Sequence, residues 1–431
     1  MEVQDIYRIY LRSKRISTDS RNVETGDLFF ALKGEHFDGN AFARQALSNG
    51  AARAVIDNPE YHRKDDPRYL LVNDALLTLQ DLAVIHRSNL KCKALAITGS
   101  NGKTTTKELV ARVLSAKFRT QATAGNLNNH IGVPLTLLSI EPETEFAVVE
   151  MGANHMGEIA RLCEIAQPGY GVITNIGKAH LEGFGNIEGV ARAKGELYDY
   201  IRSTGGLVFL NADNERLSSM AKGIQSVAYS TVKESFCKGQ LLESHPTLKI
   251  GYLSEGIRDM INTQITGAFN MENILCAVAA GLYFGVEPHE IKSAVEGYVP
   301  RNNRSQILKT EHNTVLLDAY NANPTSMKAA LDHFRQSSGD KKAVILGDML
   351  ELGGISETEH QRMIEYVRDL GFDRILLAGS HFTEAYTGDG GEIFATVEEL
   401  IAHLQRAPLK GYSVLVKGSR KIGLEKVIPH L

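Results

Sequence analysis

The sequence predicts an α/β chain of three domains. A central P-loop parallel sheet covered by helices is flanked by a small N-terminal α/β domain and a Rossmann-like C-terminal domain. Three observations carry that expectation. An apolar strand runs through a small-residue turn into a helix between Ala94 and Lys107. Short apolar runs of strand type alternate with segments of helical period along the rest of the chain. Glycine and proline punctuation, as at Gly297-Tyr298-Val299-Pro300, marks the breaks.

Residues 1–85 form the first unit. Asp27 to Leu32, Arg53 to Asp57 and Tyr69 to Val72 read as short buried strands, with a helical stretch from Phe42 to Leu47. Two polar loops, Asp19-Ser20-Arg21 and Gly34 to Gly39 with Asp38, could hold an anion or could be plain turns. Residues 86–298 form the second unit, with strands at Ala94 to Thr98, Glu145 to Glu150, Gly171 to Ile176 and Gly206 to Asn211. Helical stretches between them call for a parallel sheet, and ligands of such sheets gather at the carboxyl ends of the strands. From Thr231 to Gly267 a strand-rich excursion is expected. Residues 299–431 form the third unit, with strands at Val315 to Asp318, Ala343 to Asp348, Ile375 to Gly379 and Val414 to Gly418. It has no Gly-x-Gly-x-x-Gly turn, so no dinucleotide is assigned to it.

The chain has 431 residues, 43% of them hydrophobic, and a formal charge of −4. That balance gives no global field for nucleic acid or an anionic membrane. No apolar run is long enough to span a bilayer, and Met1 to Asp5 does not read as a secretion signal. Four scattered cysteines suit buried thiols in a reducing compartment, so a soluble cytoplasmic protein is expected.

The most informative stretch is Gly99-Ser100-Asn101-Gly102-Lys103-Thr104-Thr105. Glycines allow successive N–H groups to point inward, and the helix start adds partial positive charge. Lys103 can then reach the β/γ-phosphates and Thr104 can hold Mg²⁺. Ile97 stands where the longer eight-residue form would need glycine. Leu109, Val110, Val113 and Leu114 recur at helical spacing behind the loop and predict its buried face. A nucleoside triphosphate is the expected ligand.

Other polar residues gather at predicted strand ends. Glu150 closes an apolar strand and could hold Mg²⁺ or orient a nucleophile, or lie on the surface. His180 follows another strand, as a ligand or as a hydrogen-bonded structural residue. Lys194 by itself reads as a solvated helix lysine. Asn126, Asn128 and Asn129 offer donors and acceptors to a polar substrate, or else bond their own backbone. Asn270 and Asn273 sit one turn apart at a helix start, where one could cap it or both could face a purine. In the third unit, Asp318-Ala319-Tyr320-Asn321-Ala322-Asn323 and Lys417-Gly418-Ser419-Arg420 each follow a strand. The second reads as a carboxylate or phosphate clamp, or as a solvated basic turn.

Several runs occur together in one order: Thr98 to Lys107, Gly125 to Asn129, Glu150-Met151-Gly152, Asn175 to Leu181, Ala193 to Glu196, Tyr320 to Met327, Leu346 to Gly353 and Lys417 to Arg420. In this the chain resembles the Mur ligases, ATP-dependent amide-forming enzymes of cell-wall precursor synthesis. The resemblance covers nearly the whole chain, and the asparagine loop with Tyr320 to Pro324 points to the dipeptide-adding member. It implies ATP and Mg²⁺ as cofactors, with UDP-N-acetylmuramoyl-tripeptide and D-alanyl-D-alanine as substrates and a monomeric enzyme. It also implies roles. Lys103 would bind phosphate, Thr104 and Glu150 would hold Mg²⁺, and His180 would serve a second metal. Lys194 would carry CO₂ as a carbamate, against its bland reading. Asn270 and Asn273 would face adenine, with Arg304 and Asp318 as further nucleotide contacts, and Asp19, Ser20, Arg21 and Asp38 would hold the UDP end. Phe269, Leu317 and Asn40 depart from the family pattern. A sister ligase adding a single amino acid, and a nucleotide-dependent switch, are the alternatives.

Overall fold

The computed structural model describes residues 1–337, 339–388 and 391–431. Its architecture is α/β throughout, with three main sheets flanked by helices, as expected.

The first sheet has four parallel strands in the order Ile16–Ser17, Leu28–Phe30, Arg53–Ile56, Tyr69–Leu71. The loop expected from Gly34 to Gly39 is partly ordered as a two-stranded hairpin, Lys33–Gly34 against Phe37–Asp38. The helix Ala75–Asn89 leads from this sheet to the next.

The second sheet has nine strands. From one edge they run Thr120–Ala122, Phe146–Glu150, Lys93–Thr98, Tyr170–Ile173, Leu207–Asn211, Gln225–Ser230 and Cys237–Glu243, all parallel. The stretch expected to be strand-rich then folds back as Lys249–Ser254 and Ile257–Asn262, antiparallel and in the same sheet. Both faces of the parallel part are covered, so Phe146–Glu150 is buried at every position. Leu109, Val110, Val113 and Leu114 of the Lys103–Ser115 helix are fully buried, as their spacing predicts. The helix Met271–Tyr283 packs against that helix.

The third sheet has the order Gln306–Lys309, Thr314–Asp318, Ser413–Lys417, Lys342–Gly347, Arg374–Ala378, Glu392–Phe394. Five strands are parallel, and the edge strand Gln306–Lys309 is antiparallel. The sequence reading lacks this edge strand because it is four residues long with no fully buried position. All four cysteines are free and buried. No helix among the described residues is long and apolar enough to cross a membrane.

Candidate active site

The phosphate loop owes its shape to close packing. Gly99 adopts φ +142°, and a Cβ there would fall 2.0 Å from Thr174 Oγ1. Gly102 adopts φ +78°, and a Cβ there would fall 2.7 Å from Asn273 Oδ1. Glycine is required at both positions. The next strand end secures the loop: Asn101 N donates to Asn175 Oδ1 at 2.9 Å, and Gly177 N donates to Ser100 Oγ at 2.9 Å. The Lys103 ammonium folds back to donate to Gly99 O at 2.7 Å and Ser100 O at 3.2 Å. Burial pushes its pKa down, while the nearby Glu150 charge opposes that shift. Thr104 is buried at the helix start and Thr105 is partly exposed.

Glu150 ends its strand with 1% exposure, not on the surface. Asn128 Nδ2 donates to its Oε1 at 2.7 Å, and Oε2 is buried without a hydrogen-bond partner. An acceptor carboxylate with one open oxygen fits a cation.

His180 precedes a short helix, Leu181–Phe184, in a left-handed conformation, φ +51°. Its Nδ1 lies 2.7 Å from Glu351 Oε2 of the third unit, out of line with the ring N–H. The His180 contact comes first among the causes that hold the Glu351 carboxyl below its ordinary range.

Lys194 corrects its bland reading as a solvated lysine. It sits on the Ile187–Thr204 helix with 1% exposure, and its Nζ reaches Ala153 O at 3.3 Å. Burial, and then the charge of Lys103, pushes its pKa down to about 7. Phe184 joins it to His180, its ring 5.2 Å from Lys194 Nζ and 6.4 Å from the His180 ring. Thus Lys103, Glu150, His180 and Lys194 converge at the carboxyl ends of adjacent strands and the loops that follow them. Among the described residues no group of three or more His, Cys, Asp or Glu side chains forms a metal cage. Such a site suits Mg²⁺, which takes one or two carboxylates and completes its shell with phosphate oxygens and water.

Several candidates make bonds inside the protein. Asn273 Oδ1 accepts from Thr106 Oγ1 and its Nδ2 donates to Asn270 Oδ1, while Asn270 Nδ2 donates to Thr266 O. Neither side chain caps the helix; both are buried behind the phosphate loop. Asn129 accepts from Ile131 N and Gly132 N at a helix start, and Asn126 is exposed.

The basic clamp needs correction. Lys417, 2% exposed, is ion-paired with Asp318, whose Oδ1 also accepts from Ser305 N. Ser419 is buried, accepting from Leu350 N at 2.9 Å. The accessible cations are Arg304, 3.5 Å from the Tyr320 ring centroid, and Arg420, 5.2 Å from the same ring. Asn321 Oδ1 accepts from the neighbouring Ala322 N, and Asn323 caps the helix Pro324–Gln336.

In the first unit Asp19 and Arg21 pair with each other, which holds the Asp19 carboxyl down at about 2. Ser20 is buried against Gln45, and Asp38 caps the turn Gly39–Phe42. Lys178, inside the run Asn175 to Leu181, has no role in the sequence reading, and its Nζ meets Glu359 of the third unit at 2.8 Å. That reading also quoted Glu351 without giving it a role. A carboxylate soon after a strand end was the available signal.

A phosphate loop ringed by a carboxylate, a histidine and a buried lysine, with a second α/β unit closing on it, defines a multidomain nucleotide-binding enzyme. The comparisons narrow the class. Residues 97–281 match the Mur ligase middle domain, 303–420 the Mur ligase glutamate ligase domain and 12–86 the Mur ligase family catalytic domain. The chain belongs to the Mur ligase family. It is 35% identical to the UDP-N-acetylmuramoyl-tripeptide–D-alanyl-D-alanine ligase of Bacillus subtilis, over 96% of this chain and 92% of that one. It is 36% identical to the Escherichia coli protein of the same name, at the same coverages. A crystal structure of MurF from Acinetobacter baumannii superposes with TM-score 0.86 at 33% identity, covering 99% of this chain and 97% of that one. MurF from Thermotoga maritima in complex with ADP superposes with TM-score 0.85 at 25% identity, covering 98% and 97%.

Proposed function

We propose that the chain is an ATP-dependent ligase that joins D-alanyl-D-alanine to UDP-N-acetylmuramoyl-tripeptide, releasing ADP and phosphate. The observation that carries the reading is the convergence of Lys103, Glu150 and buried Lys194 on one phosphate loop, in a chain alignable nearly end to end with relatives of that name. The first unit, residues 1–85, would hold the UDP end. Residues 86–298 would hold ATP, and residues 299–431 would bring in the dipeptide and close over the site. The reading includes a cytoplasmic, monomeric enzyme.

The carboxylate of the tripeptide attacks the γ-phosphorus of ATP. A new P–O bond forms as the β–γ bridge breaks, giving an acyl phosphate and ADP. Carboxylate and triphosphate repel each other, so the Lys103 ammonium and the loop N–H groups must offset that charge. The free amine of the dipeptide then adds to the acyl carbon, and the tetrahedral intermediate breaks its C–O bond to expel phosphate while the nitrogen gives up a proton, which leaves with phosphate. Arg420, beside Tyr320, is the cation suited to the dipeptide's carboxylate, while Arg304 on the same ring, close enough to act on Lys103, suits the nucleotide. Contacts across the cleft, such as Lys178 with Glu359, support a closed arrangement that keeps water from the acyl phosphate.

Thr104, Glu150, His180 and a Lys194 carbamate are the groups proposed to hold Mg²⁺. Bound there, the metal would neutralise phosphate charge and polarise the γ-phosphorus. The buried, open Glu150 oxygen fits that role. A lysine whose pKa is near 7 is largely unprotonated at mildly alkaline pH, as a carbamate requires.

The test is phosphate release from Mg²⁺-ATP with the two substrates added singly and together. Release that needs both, with a pentapeptide nucleotide seen by mass, is the expected result. Release with a single amino acid in place of the dipeptide would move the chain to a sister ligase, and release with neither substrate would make it a switch.

A further inference from the structure

The run Leu346 to Gly353, one of the motifs of the sequence, takes no direct part in the ligation chemistry. The structure shows what it touches. Asp348 is 1% exposed and accepts from His381 N and Phe382 N. Met349 N donates to His360 Nε2 at 3.0 Å, and Leu350 N donates to Ser419 Oγ. The third unit thus holds the base of this loop from three sides.

Its tip crosses to the central unit. Glu351 O accepts from Glu182 N at 3.2 Å, and a Cβ at Gly353 would fall 3.2 Å from Glu182 Cα. Between those contacts the Glu351 carboxylate meets His180 Nδ1 at 2.7 Å. Both residues are non-glycine and both hold left-handed backbone, φ +66° at Glu351 and φ +51° at His180. Two residues in a costly conformation that meet across a cleft mark a contact over-determined by its surroundings.

We propose that Glu351 is a positioning residue: delivered by the third unit, its carboxylate seats the His180 ring so that the other ring nitrogen faces the phosphate site. At 2.7 Å the carboxylate restrains where the ring sits, and a small rotation of the ring would line its N–H up with Glu351 Oε2 and so fix tautomer and orientation together. Because Leu350 is bonded to Ser419, in the strand-end run that also carries Arg420, the seating is mechanically continuous with the surface proposed to receive the dipeptide. The inference rests on the His180 role proposed above.

The experiment uses the full chain as wild type, Glu351→Ala, Glu351→Gln, His180→Ala and the double variant Glu351→Ala/His180→Ala. Ligation kinetics are read beside Mn²⁺ binding by electron paramagnetic resonance with a non-hydrolysable ATP analogue. Thermal unfolding confirms that each variant is folded. Glu351→Ala is expected to lower kcat and Mn²⁺ affinity about 10–100-fold with the tripeptide KM unchanged. Glu351→Gln, which keeps an acceptor oxygen, recovers most of both, and the double variant is no worse than His180→Ala alone. Additive losses in the double variant would overturn the proposal, since Glu351 would then act on its own. Wild-type Mn²⁺ affinity in Glu351→Ala would also overturn it. A His180→Ala variant with full activity and full Mn²⁺ affinity would instead remove the role given to His180, and this inference with it.

Discussion

The Asn323 side chain does two things at once: its Nδ2 donates to Asn101 Oδ1 at 2.8 Å while its oxygen accepts from Ser326 N. The first bond ties the third unit to the phosphate loop, and the second caps the helix Pro324–Gln336. The two roles separate by substitution. Serine can still cap but is too short to reach Asn101. Asn323→Ser is expected to hold its Tm and raise the KM for ATP roughly 3–10-fold, the worth of one hydrogen bond. Asn323→Ala should add a stability loss of about 1 kcal/mol. Equal Tm for both variants would remove the cap from the account.

Lys103 is expected to matter to the chemistry and little to the fold. Its ammonium sits in a partly buried position that disfavours charge. Lys103→Met should therefore keep or raise Tm while lowering ligation on the order of 10²–10³-fold. Steady-state phosphate release beside a melting curve checks both halves.

Lys194 carries a pH signature. Its folded pKa of about 7 lies below the ordinary 10.5, so between those values the unfolded chain binds more protons than the folded one. Stability from this residue therefore rises with pH across that window, and at neutral pH the residue is a liability. In bicarbonate-free buffer Lys194→Met should melt higher than wild type near pH 7 and lose ligation. A short-chain carboxylate restoring activity to Lys194→Ala would support the carbamate. Full activity in Lys194→Ala without any addition would refute it.

A second titration lies at another contact between the central and third units. The His245 ring of the central unit stacks on His333 of the third, centroids 4.6 Å apart and planes 7° apart, with Phe269 edge-on to His333 at 6.4 Å. Burial and then His245 push the His333 pKa to about 4, and burial and then Lys342 lower that of His245. The unfolded chain takes up the His333 proton near its ordinary 6.5, so stability should fall as pH drops from about 6.5 toward 4. Replacing His333 with Phe keeps a ring in the stack and should flatten that part of the Tm profile. An unchanged profile would mean that other groups govern it.

The sequence by itself determined the strand–loop–helix at Lys103, the buried face of Leu109, Val110, Val113 and Leu114, and the alternation that makes the sheets parallel. These are local matters of spacing and backbone freedom, and they are written in consecutive residues. Gly99 and Gly102 were legible as a flexible turn, but the atoms that exclude a side chain there, Thr174 Oγ1 and Asn273 Oδ1, come from distant segments. Only the tertiary structure decided which polar residues are available. Lys194 read as solvated and is buried, because its helix turns that side chain in against Ala153 O and the Phe184 ring. Lys417 read as a free cation and is neutralised by Asp318, its register partner on the neighbouring strand. Glu351 and His180 stand far apart in the chain, and their contact exists because the third unit closes on the second. A residue's type fixes what chemistry it can offer. Its charge state and its partners depend on the desolvation and neighbours that packing imposes, and these are not encoded next to it in the chain.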